Sequence, residues 1–583
     1  MRVSAQHGFV GRSALLPAII LIAALVLASG VCAQSPRLTE RLAPNTVLYV
    51  EWRGIASLNG ADKRNHLLQL LADPDFAPVW AGLALKFQQG ARGKNGVVPQ
   101  GDLPNLLSLL DNPAVVGLIE IPKQTQARAS DDHASPVGFF LAYDSTGKTD
   151  LINKWKSDAH PAPGTPAPEI THYDFGGTQV ETRKSGKDVS YTAQAGKYYV
   201  ASDQKQVIED LITRFRASDS PATSIEQLPE YQAARQFIGT SSALEFFGRM
   251  PDVSRWMPTA AKDKSAVELV KNLHLERIHV LEGGIDLSGE AVRVRGAILG
   301  DTSPGGPFDL AAPSASVFQT QRIASAGPAF TMSRLNLAAA YQFIRTALMA
   351  SLPAPQTNNL ATAESAAQGF LGMPVADALG LFSGEIGYAS SYSAEGKEER
   401  LFAATIQKPD AVLRVLRAVL GAMIANEDSV AGNTFLDISY PYREAVTGMQ
   451  RRRFYYVAVT PQMLLAAPRK AMLRQAFAQT TSAPDASPAN GLFANAEFLH
   501  LRAQMPEKLS GLSAADLTLI PWDKLVANLR DEADRTAKQS KSPPPDLSWL
   551  KAFNSGVIPR HLHTSVSAWW KESVGVYFDS YLQ

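Results

Sequence analysis

Cysteine is almost missing from this sequence. Cys32 is the only one in 583 residues. If the leader is removed after Ala33, the remaining chain has none, which excludes disulfides, cysteine-ligated zinc and a cysteine nucleophile together. An excess of charge is missing as well. The formal net charge is +1, and it becomes −1 once Arg2 and Arg12 of the leader are set aside from 56 basic residues against 55 acidic ones. Neither sign gives a global field that gathers nucleic acid or an anionic membrane, and nucleic acid is not an expected partner. The familiar hydrolase signatures are absent too. There is no Gly-x-Ser-x-Gly and no His-Glu-x-x-His, and no Ser-x-x-Lys stands in a useful context. The sequence therefore names no catalytic residue, no metal ligand and no cofactor.

What is present begins with an export signal. Arg2 and Arg12 precede an apolar run over 14–28, and Val31-Cys32-Ala33 puts small residues before Gln34. The run is shorter than the roughly 20 residues of a membrane span, so no stable span is expected after cleavage. Val31 before Cys32, and Ser29 in place of leucine, argue against a lipid anchor on Cys32. The expected location is the periplasm or the extracellular space. Hydrophobic residues make up 45% and charged residues 19%, as in a folded globular chain.

The clearest organising stretch is 137–215. It reads as strand (137–143), helix (150–156), strand (171–183), strand (189–201) and helix (203–215). The same order recurs about 260 residues later. There, 330–336 answers 47–53, 381–388 answers 111–118, 401–406 followed by Lys408-Pro409-Asp410 answers 139–155, Arg453 to Ala458 answers Gly196 to Ala201, and Glu497 to Leu501 answers Glu245 to Arg249. A Gly-, Pro- and Ser-rich stretch separates the two runs. The expected organisation is a signal peptide (1–33), an α+β half (34–300), a linker (301–320) and a second α+β half (321–583). The halves read as internally duplicated, each a mainly antiparallel sheet packed by helices. The groove between them is the expected binding surface.

Local motifs each have a plain structural explanation. Asp144-Ser-Thr-Gly-Lys-Thr149 looks like the end of a phosphate loop, but Ala142 stands where that loop needs glycine. His561 and His563 share one face if they lie on a strand, with no nearby acid to complete a metal shell. Arg451-Arg-Arg-Phe-Tyr-Tyr456 mixes cations and aromatics and reads as a strand behind a basic turn. Trp569-Trp570 and Tyr577-Phe578 read as closing strands, and Asp131-Asp132-His133 as a solvated loop. Over 410–424, Val412, Val415, Leu416, Val419, Leu420, Met423 and Ile424 form one apolar helical face.

The opening residues Pro44, Thr46 and Tyr49, with repeated strand–Lys-x-Asp–helix units, resemble an uncharacterised family of exported bacterial proteins, a domain of unknown function. The resemblance covers most of 40–583. It implies an exported, duplicated α+β protein and transfers no catalytic residue. The expected function is a non-catalytic binding or scaffold role in the bacterial cell envelope, towards an envelope protein or a small ligand. A metal-free hydrolase and a carrier of apolar ligands are the alternatives.

Overall fold

A computed structural model describes residues 37–55, 64–80, 82, 108–121, 137–158, 167–186, 188–218, 221, 223–260, 268–269, 271–382, 384–430, 432–443, 450–481, 492–539 and 549–583. The leader, Cys32 and the 131–133 loop lie outside the described residues. The chain forms two compact units. One takes chain up to Arg249 with 280–292 and 530–557, and the other takes 250–279, 293–529 and 558–583. The division differs from a single cut at 301–320.

In the first unit nine strands pair antiparallel throughout. They are β1 (Thr46–Trp52), β2 (Ala114–Glu120), β3 (Val137–Asp144), β4 (Glu169–Phe175), β5 (Thr178–Ser185), β6 (Asp188–Ala195), β7 (Tyr198–Ser202), β8 (Ser242–Arg249) and β9 (Ile278–Asp286). Their spatial order is β4-β5-β6-β7-β3-β2-β1-β8-β9. Each single strand expected at 171–183 and 189–201 is in fact a hairpin. Gly176 and Gly177 turn the first at φ of 58° and 78°, and Gly196 turns the second at 63°, a region open to glycine at little steric cost. Uninterrupted β-propensity across those glycines hid the reversals from a periodicity reading.

Helices of this unit among the described residues include α1 (His66–Ala72), α2 (Thr149–Asp158), α3 (Lys205–Arg216) and α4 (Pro229–Ile238). The helix α3 buries Val207, Ile208, Leu211, Ile212 and Phe215. These positions recur at three and four residues, so one stripe meets the sheet. Each such side chain contributes about 1.5–3 kcal/mol on burial. Late chain also joins this unit, because Phe553 meets Phe76 edge-on at 5.9 Å.

The second unit has β10 (Val292–Gly300), β11 (Ala329–Leu335), β12 (Gly384–Tyr392), β13 (Glu398–Thr405), β14 (Ile424–Val430), β15 (Asn433–Arg443), β16 (Gln450–Val459), β17 (Met463–Ala467), β18 (Gly511–Asp516), β19 (Thr564–Glu572) and β20 (Gly575–Leu582). Their order is β14-β15-β16-β17-β13-β12-β11-β18-β19-β20-β10, with antiparallel pairing from β14 through β20. Read by rank along the chain, β11 to β19 take the same places as β1 to β9.

That order corrects two expected correspondences. Tyr455 and Tyr456 lie in β16, which takes the place of β6. The place of β7, with Tyr198 and Tyr199, is taken by β17. Glu497 to Leu501 is not a strand but part of a helix, Ala496–Ala503, opened by Asn495, whose side chain accepts from the Phe498 N–H. The place of β8 falls to β18.

Helices α5 (Leu337–Ser351), α6 (Ala354–Leu371) and α7 (Val375–Gly380) lie between β11 and β12. Then follow α8 (Pro409–Leu420), α9 (Lys470–Thr481) and α10 (Ala496–Ala503). The helix expected over 410–424 ends at Leu420, where Gly421 follows at the C-terminal end. Met423 closes a short 3-10 turn and Ile424 already opens β14. The stretch expected as a linker is packed. Phe308 and Phe318 are buried, and Ala311 and Ala315 bridge to Leu335 and Leu509.

The C-terminal aromatics pack against glycines. A Cβ on Gly511 would lie 1.8 Å from Nε1 of Trp569, and one on Gly296 would lie 1.7 Å from the Phe578 ring. Gly511→Ala should therefore cost the second unit about 1–3 kcal/mol, the range for overpacking a filled core. Urea unfolding followed by tryptophan fluorescence reads this as a lower midpoint, and an unchanged midpoint contradicts the packing described.

Candidate functional site

Three strands of the first sheet each carry one acid at an inward position inside an apolar run: Glu51 on β1, Glu245 on β8 and Glu282 on β9. Period-two alternation puts Tyr49 and Glu51 on the same face as Glu245 and Phe247. Glu51 pairs directly opposite Glu245, and Glu282 opposite Phe247. All three are at most 1% exposed. Like charges opposite each other oppose pairing, so counter-charge must be brought in.

Two arginines supply it. Arg37, ahead of the first short 3-10 turn, donates to Oε2 of Glu245 at 2.5 Å and stands 3.6 Å from Glu51. Arg235, on α4, donates to the same Oε2 of Glu245. Tyr49 donates to the other oxygen of Glu245 at 2.5 Å, and Tyr231 does so at 3.2 Å. Glu245 is thus saturated. Glu51 accepts from the Leu38 N–H at 2.6 Å.

Glu282 is different. Its nearest cation, Arg235, is 3.9 Å away, and neither of its oxygens has a hydrogen-bond partner among the described residues. Burial pushes its carboxyl from 4.5 up to about 8, against the pull of Arg235 and Arg37. Burial also drives the Tyr49 hydroxyl well above its usual range, and it lowers Arg235, with Arg37 adding to the effect.

The second unit shows that the fold does not require this charge. Met332 faces Gly387 and Leu512 as Tyr49 faces Gly117 and Phe247. Ala568 faces Leu512 in the place of Glu282. Met332, Leu512, Ala568 and Phe498 are all buried, so the central positions of this layer are apolar. Charge remains at its margins: Arg334 stands opposite Glu385 on the neighbouring strands, and Ala568 faces Asp579, which is buried and paired with Arg293 at 2.6 Å. Buried ion pairs are seldom more stabilising than apolar packing. The carboxylates of the first unit therefore call for an explanation outside stability, and perturbed buried acids cluster at functional sites.

A second candidate is an open cleft of about 720 Å³ in the second unit. Asn336, Gln342, Asp377, Gln407, Lys408 and Arg414 are its polar lining. It sits where α5, α7 and α8 begin or end. Asn336 caps α5 by accepting from the Ala339 N–H at 3.1 Å. Pro409 opens α8 directly after Lys408. The first turn of a helix leaves N–H groups unclaimed by the helix itself and carries the positive end of its dipole. Lys408 and Arg414 are exposed, and no ion pair or hydrogen bond engages them among the described residues.

The sequence motifs fare as follows. Lys148 pairs with Asp111 at 2.7 Å, and Lys197 with Asp144 at 2.7 Å. Thr146 turns back onto Asp144, so 144–149 is a tied helix entry. His561 ends a short helix and His563 precedes β19, so the two do not share a strand face. His563 lies 3.6 Å from Glu497. Among the described residues no group of three metal-binding side chains assembles. Trp570 is buried and stacks on Tyr577 at 5.8 Å. No helix among the described residues is long and apolar enough to cross a membrane. Comparison with protein-family models, curated proteins and solved structures finds no match.

The carboxylate cluster gives a pH dependence of defined sign. A carboxyl raised on folding keeps its proton while the unfolded chain has already lost one. Stability is then fully present below about pH 4.5 and falls as pH rises towards 8. Each pKa unit corresponds to about 1.4 kcal/mol. Relative to wild type, Glu282→Gln should flatten this fall and gain stability at pH 9. Urea unfolding at pH 5 and pH 9 tests it, and parallel profiles for the two proteins overturn the assignment.

Proposed function

We propose that the chain is an exported, non-catalytic binding protein of the bacterial cell envelope, and that the cleft of its second unit receives a small anion. The observation that carries this reading is the pair of exposed cations, Lys408 and Arg414, lining one cleft at the start of α8. Unpaired cations hold negative groups through charge and through ammonium or guanidinium donation; Pro409 opens α8 without an N–H and Asp410 stands in its first turn, so the side chains of Lys408 and Arg414 carry the attraction. Gln342, Gln407 and Asn336 add amides that can orient such a ligand. The lining consists of amides, two cations, one carboxylate and apolar groups, a set suited to holding a ligand more than to attacking one. Asp377 sets the specificity, because it repels an anion bearing charge on that side.

The same reading takes the two units as copies of one ancestral pattern. Equal strand order, rank by rank, supports it, as do the paired glycines Gly117 and Gly387 opposite Tyr49 and Met332. Export is part of the proposal and rests on the leader composition.

Calorimetric titration of the full mature chain with inorganic phosphate, citrate and succinate tests the cleft. At least one should bind, and Lys408→Ala or Arg414→Ala should weaken that binding about tenfold, or ~1.4 kcal/mol. Binding that ignores both substitutions, or no binding across the set, removes the assignment.

A further inference from the structure

A second surface of the same unit is built differently and stands apart from the cleft. β15 and β16 form the longest pairing of the unit, running from Thr434 opposite Val459 to Arg443 opposite Gln450. Their neighbours stop early. β14 pairs with β15 only as far as Ile438, and β17 pairs with β16 only from Tyr456. Residues 439–443 and 450–455 are thus a two-stranded ribbon, with no third strand on either side among the described residues. Such a ribbon is weakly stable alone, and its composition is not that of a core.

Gln450, Arg451, Arg452, Arg453 and Phe454 are all exposed, with Phe454 at 46%. Tyr440 pairs opposite Arg453, and Tyr442 opposite Arg451. One face of the ribbon therefore alternates tyrosine and arginine, while Arg452 and Phe454 stand on the other. No acid occurs within 439–443 or 450–455.

We propose that this ribbon is a contact surface for an anionic lipid bilayer. Arginines that meet lipid phosphates beside tyrosine and phenylalanine are the composition of a membrane–water interface. An exposed phenylalanine has no polar group to present to solvent, but it can enter the acyl boundary while the flanking guanidinium groups stay at headgroup level. Single-stranded nucleic acid is the competing partner for cations mixed with aromatics. It needs open ring faces on which bases stack. Here the guanidinium of Arg453 already lies over the Tyr442 ring at 4.4 Å from its centre. Tyr440 and Tyr455 lean together at 6.4 Å. Arg453 thus covers one face of Tyr442, and Phe454 is left as a single open ring where a stacking platform uses several, whereas headgroup binding uses the guanidinium edges and needs no stacked row of rings. Attraction is local to the ribbon, which is why the near-zero net charge of the chain does not forbid it.

The test is co-sedimentation of the full mature chain with unilamellar vesicles. Vesicles of phosphatidylglycerol and phosphatidylethanolamine should bind it and pure phosphatidylcholine vesicles should not, with binding weakened in 0.5 M salt. A single Arg452→Ser change should reduce binding about fivefold and the triple change of Arg451, Arg452 and Arg453 to serine about a hundredfold, at roughly one salt-sensitive contact each. Phe454→Ser should remove the part that survives high salt. These positions are exposed, so circular dichroism should be unchanged; if the triple variant misfolds, Arg452→Ser and the salt series of the wild type still decide. Equal binding to both vesicle types, salt-independent binding, or release of bound protein by a single-stranded oligonucleotide overturns the proposal.

Discussion

Two carboxylates placed directly opposite on adjacent strands, Glu51 and Glu245, set the terms for the interior of the first unit. Neither reaches water. In a medium of low polarity such a pair holds together only if positive charge lies between or beside its members. Arg37 and Arg235 provide it from two different elements, a segment ahead of the first strand and a helix crossing the sheet. The position of α4 and the path of the chain entering β1 both follow from that requirement. Tyr49 and Tyr231 complete the shell by donating to Glu245, which leaves nothing for Glu282. That third acid becomes the group whose charge is least supported.

The second unit reaches the same strand order with Met332, Leu512 and Ala568 in those places. Apolar packing there does what the ion network does in the first unit, with charge kept to either side, at Arg334 and Glu385 and at Asp579 and Arg293. Two solutions to one layer in a single chain separate what the fold demands from what a particular unit has added. The added features differ in kind. The first unit clusters three carboxylates in its interior, whereas the second buries Glu385 and Asp579 on strands that are not neighbours. The second also places cations at its surface, in the cleft beside α8 and on the ribbon of β15 and β16. Interior charge responds to protons, and surface charge responds to ligands. The first unit has a surface motif of similar outline in 144–149, but Asp111 already neutralises its one lysine, Lys148.

Much of the fold could be read from the sequence, and the failures have physical causes. Strand and helix types in 137–158 and 203–216 follow from alternation and from the stripe at Val207, Ile208, Leu211, Ile212 and Phe215. The hairpins at Gly176 and Gly196 are hidden in the sequence because strand-forming residues resume within two positions of each turn and the pattern never switches period. Phe498 and Leu501 look like strand residues, since a short helix with Asn495 as cap shows only two buried positions. The helix ending at Leu420 was drawn too long because apolar residues continue past Gly421 into the next strand. The site was less legible. Glu51, Glu245 and Glu282 each sit inside an apolar run, Tyr-Val-Glu-Trp, Leu-Glu-Phe-Phe and Val-Leu-Glu-Gly, which was a usable signal for buried acid. Their convergence depends on β1, β8 and β9 being neighbours, which no local pattern states. Lys408 reads in the sequence only as part of a repeated helix entry, and nothing local marks Arg414 as lining a cleft.

The most direct measurement of the account is a double-mutant cycle on the first unit between Arg235 and Glu245. Unfolding free energies are compared for wild type, Arg235→Met, Glu245→Gln and the double variant. Removing one partner of a buried pair costs about 3–5 kcal/mol, because a charge is left uncompensated. If the charge of Glu245 is compensated by this arginine, Glu245→Gln should restore a large part of the loss caused by Arg235→Met, giving a coupling of about 2 kcal/mol or more. Losses that simply add would show that the interior of the first unit does not rest on that compensation.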